Sequence, residues 1–175
     1  IQALTTKSGF STPQRVATGL EHRRLAVLLA VLERTYVDSS DCPSLAGWLE
    51  PADYLAEYES RHTDSERAWY FVKSGEETIG CLLCGLAKGG LVELTYWGLV
   101  PEARGRRLGG HVLRLMNDQV AHLGMVMGAC ADEGNLAACR SLQCTGFVVS
   151  NRQQLHICPL PVGEVALGTE SQRER

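Results

Sequence analysis

Residues 99–110 have the sequence Leu99-Val-Pro-Glu-Ala-Arg-Gly-Arg-Arg-Leu-Gly-Gly110 and join a predicted strand to a predicted helix. The start of a helix exposes backbone N–H groups without partners, and the helix dipole adds about half a positive charge there. Glycines let a ligand approach the backbone closely. Three cations, Arg104, Arg106 and Arg107, lie in this short segment. These features predict an anion site for a phosphate or pyrophosphate group, with a solvated basic turn as the alternative.

Two familiar phosphate-binding loops do not fit this segment. A Walker A loop needs Gly-Lys-Ser/Thr, which does not occur in the sequence. A Rossmann fingerprint needs three spaced glycines early in a βαβ unit and an acidic residue after the next strand. Here the glycines follow a predicted antiparallel meander, so both loops are excluded.

Hydrophobic spacing around this segment predicts alternating helices and strands. Helices are expected at about 20–37, from Glu50-Pro51 onward, over Val112 to Leu123 and at 135–145; strands are expected at 69–73, 78–86, 91–100, 125–131, 147–150 and 154–158. The strand at 125–131 lacks alternation, which is typical of a strand covered on both faces. This order predicts a single α/β domain with a mixed sheet and about four flanking helices, in which an antiparallel meander precedes a parallel β-α-β step.

Length and composition bound the class of protein. The domain is expected over residues 18–160, between a flexible arm at 1–17 and a polar tail at 161–175. Seventeen basic and twenty acidic side chains give a net charge of −3, which argues against nucleic-acid binding through bulk charge. The longest strongly apolar run, Leu25 to Leu32, is far shorter than the ~20 residues of a membrane span. The sequence begins at Ile1 rather than Met, which leaves open whether an upstream segment precedes it.

The seven cysteines show no framework spacing. Cys81 and Cys84 form a CxxC pair, but they lie in a predicted strand, where an offset of three points side chains to opposite faces. We therefore expect buried thiols rather than a metal or redox site. Reduced thiols favour a cytoplasmic protein.

Two segments resemble motifs of the GNAT acyltransferase superfamily. Val100-Pro-Glu-Ala-Arg-Gly-Arg-Arg-Leu-Gly109 is similar to that family's motif A, Arg/Gln-x-x-Gly-x-Gly/Ala after the central strand. Further along, Asn135-Leu-Ala-Ala-Cys-Arg-Ser-Leu-Gln-Cys-Thr-Gly-Phe147 is similar to its second motif, Asn-x-x-Ala…Gly-Phe. The resemblance covers roughly Trp69 to Cys158. Two motifs in the right order are more specific than either one alone.

The resemblance implies a GNAT-like sheet whose central parallel strand pair splays apart, with acetyl-CoA as the acetyl donor and no metal. Pantetheine would lie in the gap and pair with the backbone of Leu99 and Val100. Asn135 and Arg140 would contact the cofactor on its other side. Backbone amides of the glycine-bearing segment would hold the pyrophosphate, namely those of Arg104, Gly105, Arg106, Arg107, Leu108, Gly109 and Gly110.

The sequence departs from the family pattern at two positions. Arg107 stands where the family usually has the first motif glycine, so its side chain would crowd the phosphate loop or point outward as an extra cation. Leu142 stands where many relatives carry a tyrosine that protonates the departing thiolate. The general acid is therefore unassigned, with Ser141, Cys144 and water left open.

Glu93 is the candidate general base, because an amine must lose its proton before or during attack. On a regular strand it would share a face with Thr95, while Leu94 and Tyr96 would lie on the opposite face. An exposed strand residue or a salt-bridge partner is the alternative role for Glu93.

The predicted function is transfer of an acetyl group from acetyl-CoA to a small-molecule or peptide amine by direct attack. The alternatives are a catalytically degenerate GNAT-like module that binds CoA, and a plain anion-binding domain. A homodimer is left open. Acidic residues of the first helical region weakly favour a cationic acceptor, namely Asp38, Asp41, Glu50, Asp53, Glu57 and Glu59.

Overall fold

The structure is a computed structural model that describes residues 14–16, 22–41, 43, 47, 50–63 and 66–154. Its elements are β1 (Gln14–Val16), α1 (His22–Tyr36), α2 (Pro51–Arg61), β2 (Arg67–Ser74), β3 (Glu77–Leu86), β4 (Leu91–Leu99), α3 (Leu108–His122), β5 (Val126–Ala129) and α4 (Leu136–Cys144). The predicted mixed α/β fold is confirmed.

Five strands form one sheet in the order β1-β2-β3-β4-β5. Strands β1 to β4 pair antiparallel, of which β2, β3 and β4 form the predicted meander, and β5 pairs parallel to β4. Helix α3 supplies the crossover that a parallel pair needs. The segment predicted to bind an anion therefore connects the end of β4 to the start of α3.

Each face of the sheet carries its own hydrophobic cluster. The α3 side contains helix residues at helical spacing, namely Val112, Leu113, Met116 and Val120. The opposite side is covered by α1 and α2, with Leu28 and Leu32 fully buried. Pro51 begins α2 at a position where its missing N–H costs nothing, and Glu50 and Asp53 form a reciprocal capping box there.

A β-bulge in β4 changes which face its side chains occupy. Leu83 lies opposite Tyr96 but Cys84 lies opposite Leu94, so Thr95 is an extra residue in β4. Leu94 consequently packs in the α3-side cluster, whereas Tyr96 packs in the cluster under α1 and α2. The expectation that Leu94 and Tyr96 share a face is therefore wrong, because the inserted residue reverses the alternation.

Three predictions at the ends of the domain also need correction. Residues 14–16 of the expected flexible arm form β1 against β2; three residues are too few to show a period in the sequence. Residues 147–150 are irregular rather than a strand, and Val148 is 86% exposed. Val126 of β5 is 69% exposed, so this strand is not covered on both faces. The expected strand at 154–158, apart from Gln154, and the tail at 161–175 lie outside the described residues.

Candidate active site

The parallel strands β4 and β5 are paired over only part of β4. Their register runs from Leu91 opposite Val126 to Leu94 opposite Ala129 and ends there. The bulge at Thr95 follows immediately, and a bulge bends the strand that carries it. Within the described residues, 95–99 of β4 therefore have β3 on one side and no strand on the other. This is the gap that the sequence resemblance implies.

The N-terminus of α3 opens at the end of that gap. The first backbone bond of the helix is His111 N–H to the carbonyl of Arg107, at 3.4 Å. The N–H groups of Leu108, Gly109 and Gly110 precede it and belong to the first turn, where no intrahelical acceptor exists. Three N–H donors and the positive end of the helix dipole therefore meet at one point, which is an arrangement suited to an anion.

The three arginines of this segment have different environments. Arg106 and Arg107 are exposed. Arg104 is turned inward: its Nε donates to the carbonyl of Leu99 at 2.9 Å. Its terminal nitrogens donate to the carbonyls of Asp38 at 3.0 Å and Thr35 at 2.9 Å. The expectation that the Arg104 side chain adds a cation to the anion site is therefore wrong, because backbone carbonyls at the end of α1 already bind its guanidinium.

Arg107 occupies the left-handed region of backbone space, with φ 60° and ψ 13° at the N-cap of α3. This conformation explains why glycine usually stands here in the family, since a side chain raises its energy by about 1–2 kcal/mol. The exposed Arg107 side chain points outward rather than crowding the loop. Its backbone N–H is retained.

Replacing Arg107 with glycine is therefore expected to stabilise the fold by up to about 1 kcal/mol, the relieved strain less the extra chain entropy of glycine. Urea denaturation measures the change. Gly105→Ala is the matched control, because Gly105 also has a positive φ of 72° and open space around it, so that variant should lose stability. A loss of stability in Arg107→Gly would instead show that the guanidinium holds the loop.

The backbone of Leu99 and that of Val100 point in different directions. The N–H of Val100 donates to the carbonyl of Ile79 at 2.9 Å, and its carbonyl accepts from Ala103 at 3.0 Å. Val100 is also fully buried. Its N–H is therefore used inside the fold, so pairing with pantetheine would rest on the second lone pair of its carbonyl, and this role stays a prediction. The N–H of Leu99 points to the opposite side, toward the gap, since backbone groups alternate along a strand.

Asn135 and Arg140 lie just before and within α4, which packs against α3. The side-chain oxygen of Asn135 accepts from the backbone of Ala138 at 3.1 Å, so this residue is the N-cap of α4. Its side chain also lies beside the carboxyl group of Asp41, in the connection that follows α1. Arg140 is exposed on α4. Neither residue is brought against the N-terminus of α3 by any hydrogen bond in the described residues.

Glu93 lies on β4 just before the bulge, where it forms an ion pair with Arg61 and lies beside the imidazole of His62, at the end of α2. Its Oε1 is 3.6 Å from a terminal nitrogen of Arg61, and its Oε2 is 3.7 Å from Nε2 of His62. The carboxylate remains 40% exposed. The alternative prediction of a salt-bridge partner is thus confirmed, and the accessible carboxylate is compatible with a base as well.

Sequence reasoning missed His62, whose side chain is 10% exposed. Its imidazole ring lies against Gly85, where a Cβ would fall 2.1 Å from ring atoms. Gly85 is the residue directly opposite Glu93 in the register. A glycine in a buried strand at this point was the available signal, since it marks a close approach by another group.

Four of the five tyrosines gather beside β4 under α1 and α2. Ring centroids are 5.3 Å apart for Tyr36 with Tyr54 and for Tyr36 with Tyr96, and 6.0 Å apart for Tyr58 with Tyr96. The Tyr96 hydroxyl hydrogen-bonds to Oγ1 of Thr35 at 2.8 Å. Burial is the main cause that raises the pKa of Tyr36, Tyr58 and Tyr96, so these hydroxyls are neutral at physiological pH.

Most of the predicted acidic face is internally paired. Glu57 bonds Arg61, Glu59 bonds Arg67, and Glu50 and Asp53 cap α2. Asp41 differs, because its carboxyl group sits beside Asp132 of the β5–α4 connection. Partial burial of that carboxyl, and then repulsion from Asp132, raise the pKa of Asp41.

The remaining candidates have structural roles. Leu142, at the expected tyrosine position, packs against the α3-side cluster. Ser141 donates to the carbonyl of Ala137 at 2.9 Å, and Cys144 is exposed. Cys81 and Cys84 lie in opposite clusters, as predicted, and burial raises the pKa of each thiol to about 12. Among the described residues, no three potential metal ligands converge and no helix is long and apolar enough to cross a membrane.

The model of the acetyltransferase (GNAT) family matches residues 32–147. A probable GNAT-family acetyltransferase from Chromobacterium violaceum ATCC 12472 has a TM-score of 0.57 at 18% identity, over 83% of this chain and 73% of that one. An aminoglycoside acetyltransferase from an uncultured soil metagenomic sample, solved with sisomicin, has a TM-score of 0.57 at 11% identity. The match covers 84% of this chain and 93% of that one. AAC(6')-Iy, solved with the bisubstrate analogue CoA-S-monomethyl-acetylneamine, has a TM-score of 0.53 at 14% identity. The match covers 84% of this chain and 97% of that one. No curated protein matches the sequence. At these identities the structural likenesses show the fold.

Proposed function

The chain belongs to the acetyltransferase (GNAT) family, and from that premise we propose that it transfers an acetyl group from acetyl-CoA to an amine by direct attack. One observation supports this most strongly. The half-unpaired strand β4 ends at the helix start where the N–H groups of residues 108–110 lack intrahelical acceptors. A long donor with an amide-containing arm and a pyrophosphate needs these two features side by side.

We assign the donor to these groups as follows. The N–H groups of Leu108, Gly109 and Gly110 bind the pyrophosphate, helped by the exposed side chains of Arg106 and Arg107. The free edge of β4, including the Leu99 N–H, pairs with amides of the pantetheine arm. Asn135 and Arg140 stand on the α4 side of the same gap.

The transfer itself needs mainly placement of the two substrates. The amine nitrogen attacks the thioester carbon, the tetrahedral intermediate collapses, and the C–S bond breaks to release the thiolate of CoA. Holding donor and acceptor together supplies much of the rate, and backbone donors stabilise the developing oxyanion. Glu93 is the proposed acceptor of the amine proton. Water is the proposed proton donor to the thiolate, since the Leu142 side chain has no acidic group.

A cationic amine is the proposed acceptor class. The carboxyl groups of Asp41 and Asp132 lie together between the α1–α2 connection and α4, and neither carries a salt bridge to a basic side chain in the described residues. A positively charged substrate would relieve their mutual repulsion. Two of the similar structures were solved with aminoglycosides or their analogues, which are amines of this class.

The proposed setting is the cytoplasm. All five cysteines among the described residues are free thiols, which supports a reducing compartment.

A CoA-binding module without catalysis is the second candidate, and Leu142 is the observation that favours it. Thiol release from acetyl-CoA, followed over a panel of primary amines that includes polyamines and aminoglycosides, separates the two. CoA at one hundred times its dissociation constant should stabilise the fold by about 2.7 kcal/mol under either hypothesis. Thiol release with any amine supports the transferase. A thermal shift with CoA but no thiol release supports the CoA-binding module. The absence of both thiol release and a thermal shift would overturn both hypotheses.

A further inference from the structure

The side chain of His62 turns from the end of α2 onto the sheet. Helix α2 ends at Arg61, and His62 has extended backbone angles, with φ −138° and ψ 147°. Its carbonyl accepts from Nε of Arg67 at 3.0 Å, which ties this turn to the start of β2. Its ring occupies the space at Gly85, where any side chain would collide with it. The glycine therefore leaves a place for this ring on β3, since a glycine in a strand allows such a close approach.

One nitrogen of the His62 ring is buried and unpaired. The side chain is 10% exposed, and its Nε2 has no hydrogen-bond partner among the described residues. An unpaired buried polar atom costs free energy, so each such atom calls for an explanation. Oε2 of Glu93 lies 3.7 Å from this nitrogen. A movement of less than about 1 Å brings the two atoms within hydrogen-bonding distance.

Glu93 is accessible to a substrate although two residues at the end of α2 lie beside it. Its carboxylate is partly exposed, so an amine can reach it. Its other oxygen, Oε1, lies 3.6 Å from a terminal nitrogen of Arg61. That guanidinium is exposed and already donates to Glu57 at 2.6 Å, and exposed ion pairs are weak. Of these two neighbours, His62 is the one that is buried and has a nitrogen available to Glu93.

We propose that His62 is a positioning residue for Glu93, whose carboxylate it fixes by donating from Nε2–H to Oε2. This inference rests on the proposed function, in which Glu93 accepts the amine proton. A base works best when a further group orients it, and both imidazolium and one neutral tautomer of histidine carry the required proton on Nε2. The partly exposed carboxylate keeps further lone pairs for the substrate.

The proton balance of this step leaves His62 unchanged. The ammonium form of the substrate gives one proton to Glu93, which passes it to water, and the nitrogen lone pair attacks the thioester carbon. The second proton lost by the nitrogen reaches the departing thiolate through water. His62 keeps its own proton throughout, so its contribution is the orientation of the base.

The test is a double-variant cycle of steady-state kinetics, measured as thiol release with the amine that gives the fastest turnover. His62→Leu should lower kcat about tenfold, because a misplaced base loses much of its effect on the rate. The KM for acetyl-CoA should change less than about twofold, since residues 108–110 follow the opposite end of β4. In Glu93→Gln, the added His62→Leu change should alter kcat by less than about twofold, because the base that it positions is gone.

Two control variants accompany the cycle. His62→Gln keeps an N–H close to the position of Nε2 and should retain kcat within about threefold. His122→Leu changes an exposed histidine at the end of α3, on the other side of the sheet, and should leave kcat unchanged. If His62→Leu does not fold, as judged by circular dichroism, His62→Met takes its place, because methionine fills irregular space and offers no N–H.

The outcomes separate this inference from the proposed function. No thiol release with any amine would overturn the proposed transfer, and full kcat in Glu93→Gln would overturn the assignment of the base; either result removes this inference too. If Glu93→Gln is impaired but His62→Leu is not, the positioning role alone is overturned. The same holds if His62→Leu lowers kcat by one factor in both backgrounds, or if His62→Gln is as slow as His62→Leu.

Discussion

Replacing Gly110 with proline is expected to weaken CoA binding by about 10- to 100-fold, because it removes one N–H that would donate to a charged phosphate oxygen. Gly110 is the third residue of α3, and its N–H precedes the first intrahelical bond. Proline is tolerated in the first turn of a helix for this reason. Gly109, which precedes it, has no Cβ to clash with the proline ring. The fold should therefore survive while one donor is lost.

Gly110→Ala is the control for this experiment. A Cβ at residue 110 meets nothing within 4 Å, and alanine keeps the N–H. Its higher helix propensity should raise stability by roughly 1 kcal/mol. Calorimetric titration with CoA should give nearly unchanged affinity for Gly110→Ala. Equal affinities for the alanine and proline variants would show that the phosphate does not bind at this helix start.

Replacing Gly98 with alanine is expected to destabilise the fold by about 2–3 kcal/mol through overpacking. A Cβ at Gly98 would lie 2.6 Å from the Tyr96 hydroxyl oxygen and 2.9 Å from the Thr35 Cβ. Neither neighbour can move easily, because Tyr96 is 8% exposed and Thr35 is 2% exposed. Urea denaturation of the unsubstituted protein and Gly98→Ala measures the cost.

A double variant identifies the atom responsible. Tyr96→Phe removes the hydroxyl and should by itself cost about 1 kcal/mol, since Thr35 still bonds the Leu32 carbonyl. In that background Gly98→Ala should cost clearly less than it does alone, because the closest contact is gone. Additive costs would show that the strain lies between the new methyl group and the Thr35 Cβ or the Tyr96 ring instead.

The parts of this fold that follow from local pattern could be predicted from sequence. Leucines at helical spacing predicted α1, and proline and glycine positions predicted the turns that bound β4. The anion-binding helix start followed from unpaired N–H groups and glycines, which depend on a few neighbouring residues. The gap beside β4 was predicted by resemblance alone and matches the observed end of pairing at Leu94.

Features that depend on three-dimensional neighbours could not be predicted. The bulge at Thr95 leaves no mark in an apolar strand, so the faces of Leu94 and Tyr96 were assigned wrongly. Arg104 counts as a free cation in sequence, because two of its three carbonyl partners, those of Thr35 and Asp38, lie more than sixty residues earlier in the chain. His62 follows α2 among several charged residues, and nothing in the sequence indicates that its ring lies against Gly85 and beside Glu93.

Successive side chains of β3 point to opposite faces of the sheet, and this affects how the domain unfolds. Cys81 and Leu83 face α1 and α2, whereas Leu82 and Cys84 face α3, so one short stretch of β3 belongs to both hydrophobic clusters. If the helices on one face of the sheet unfolded, the β3 side chains on that face would be exposed. The other cluster would then pack on a strand that is covered on one face only. The two clusters therefore form a single cooperative unit, and neither persists as an independent subdomain.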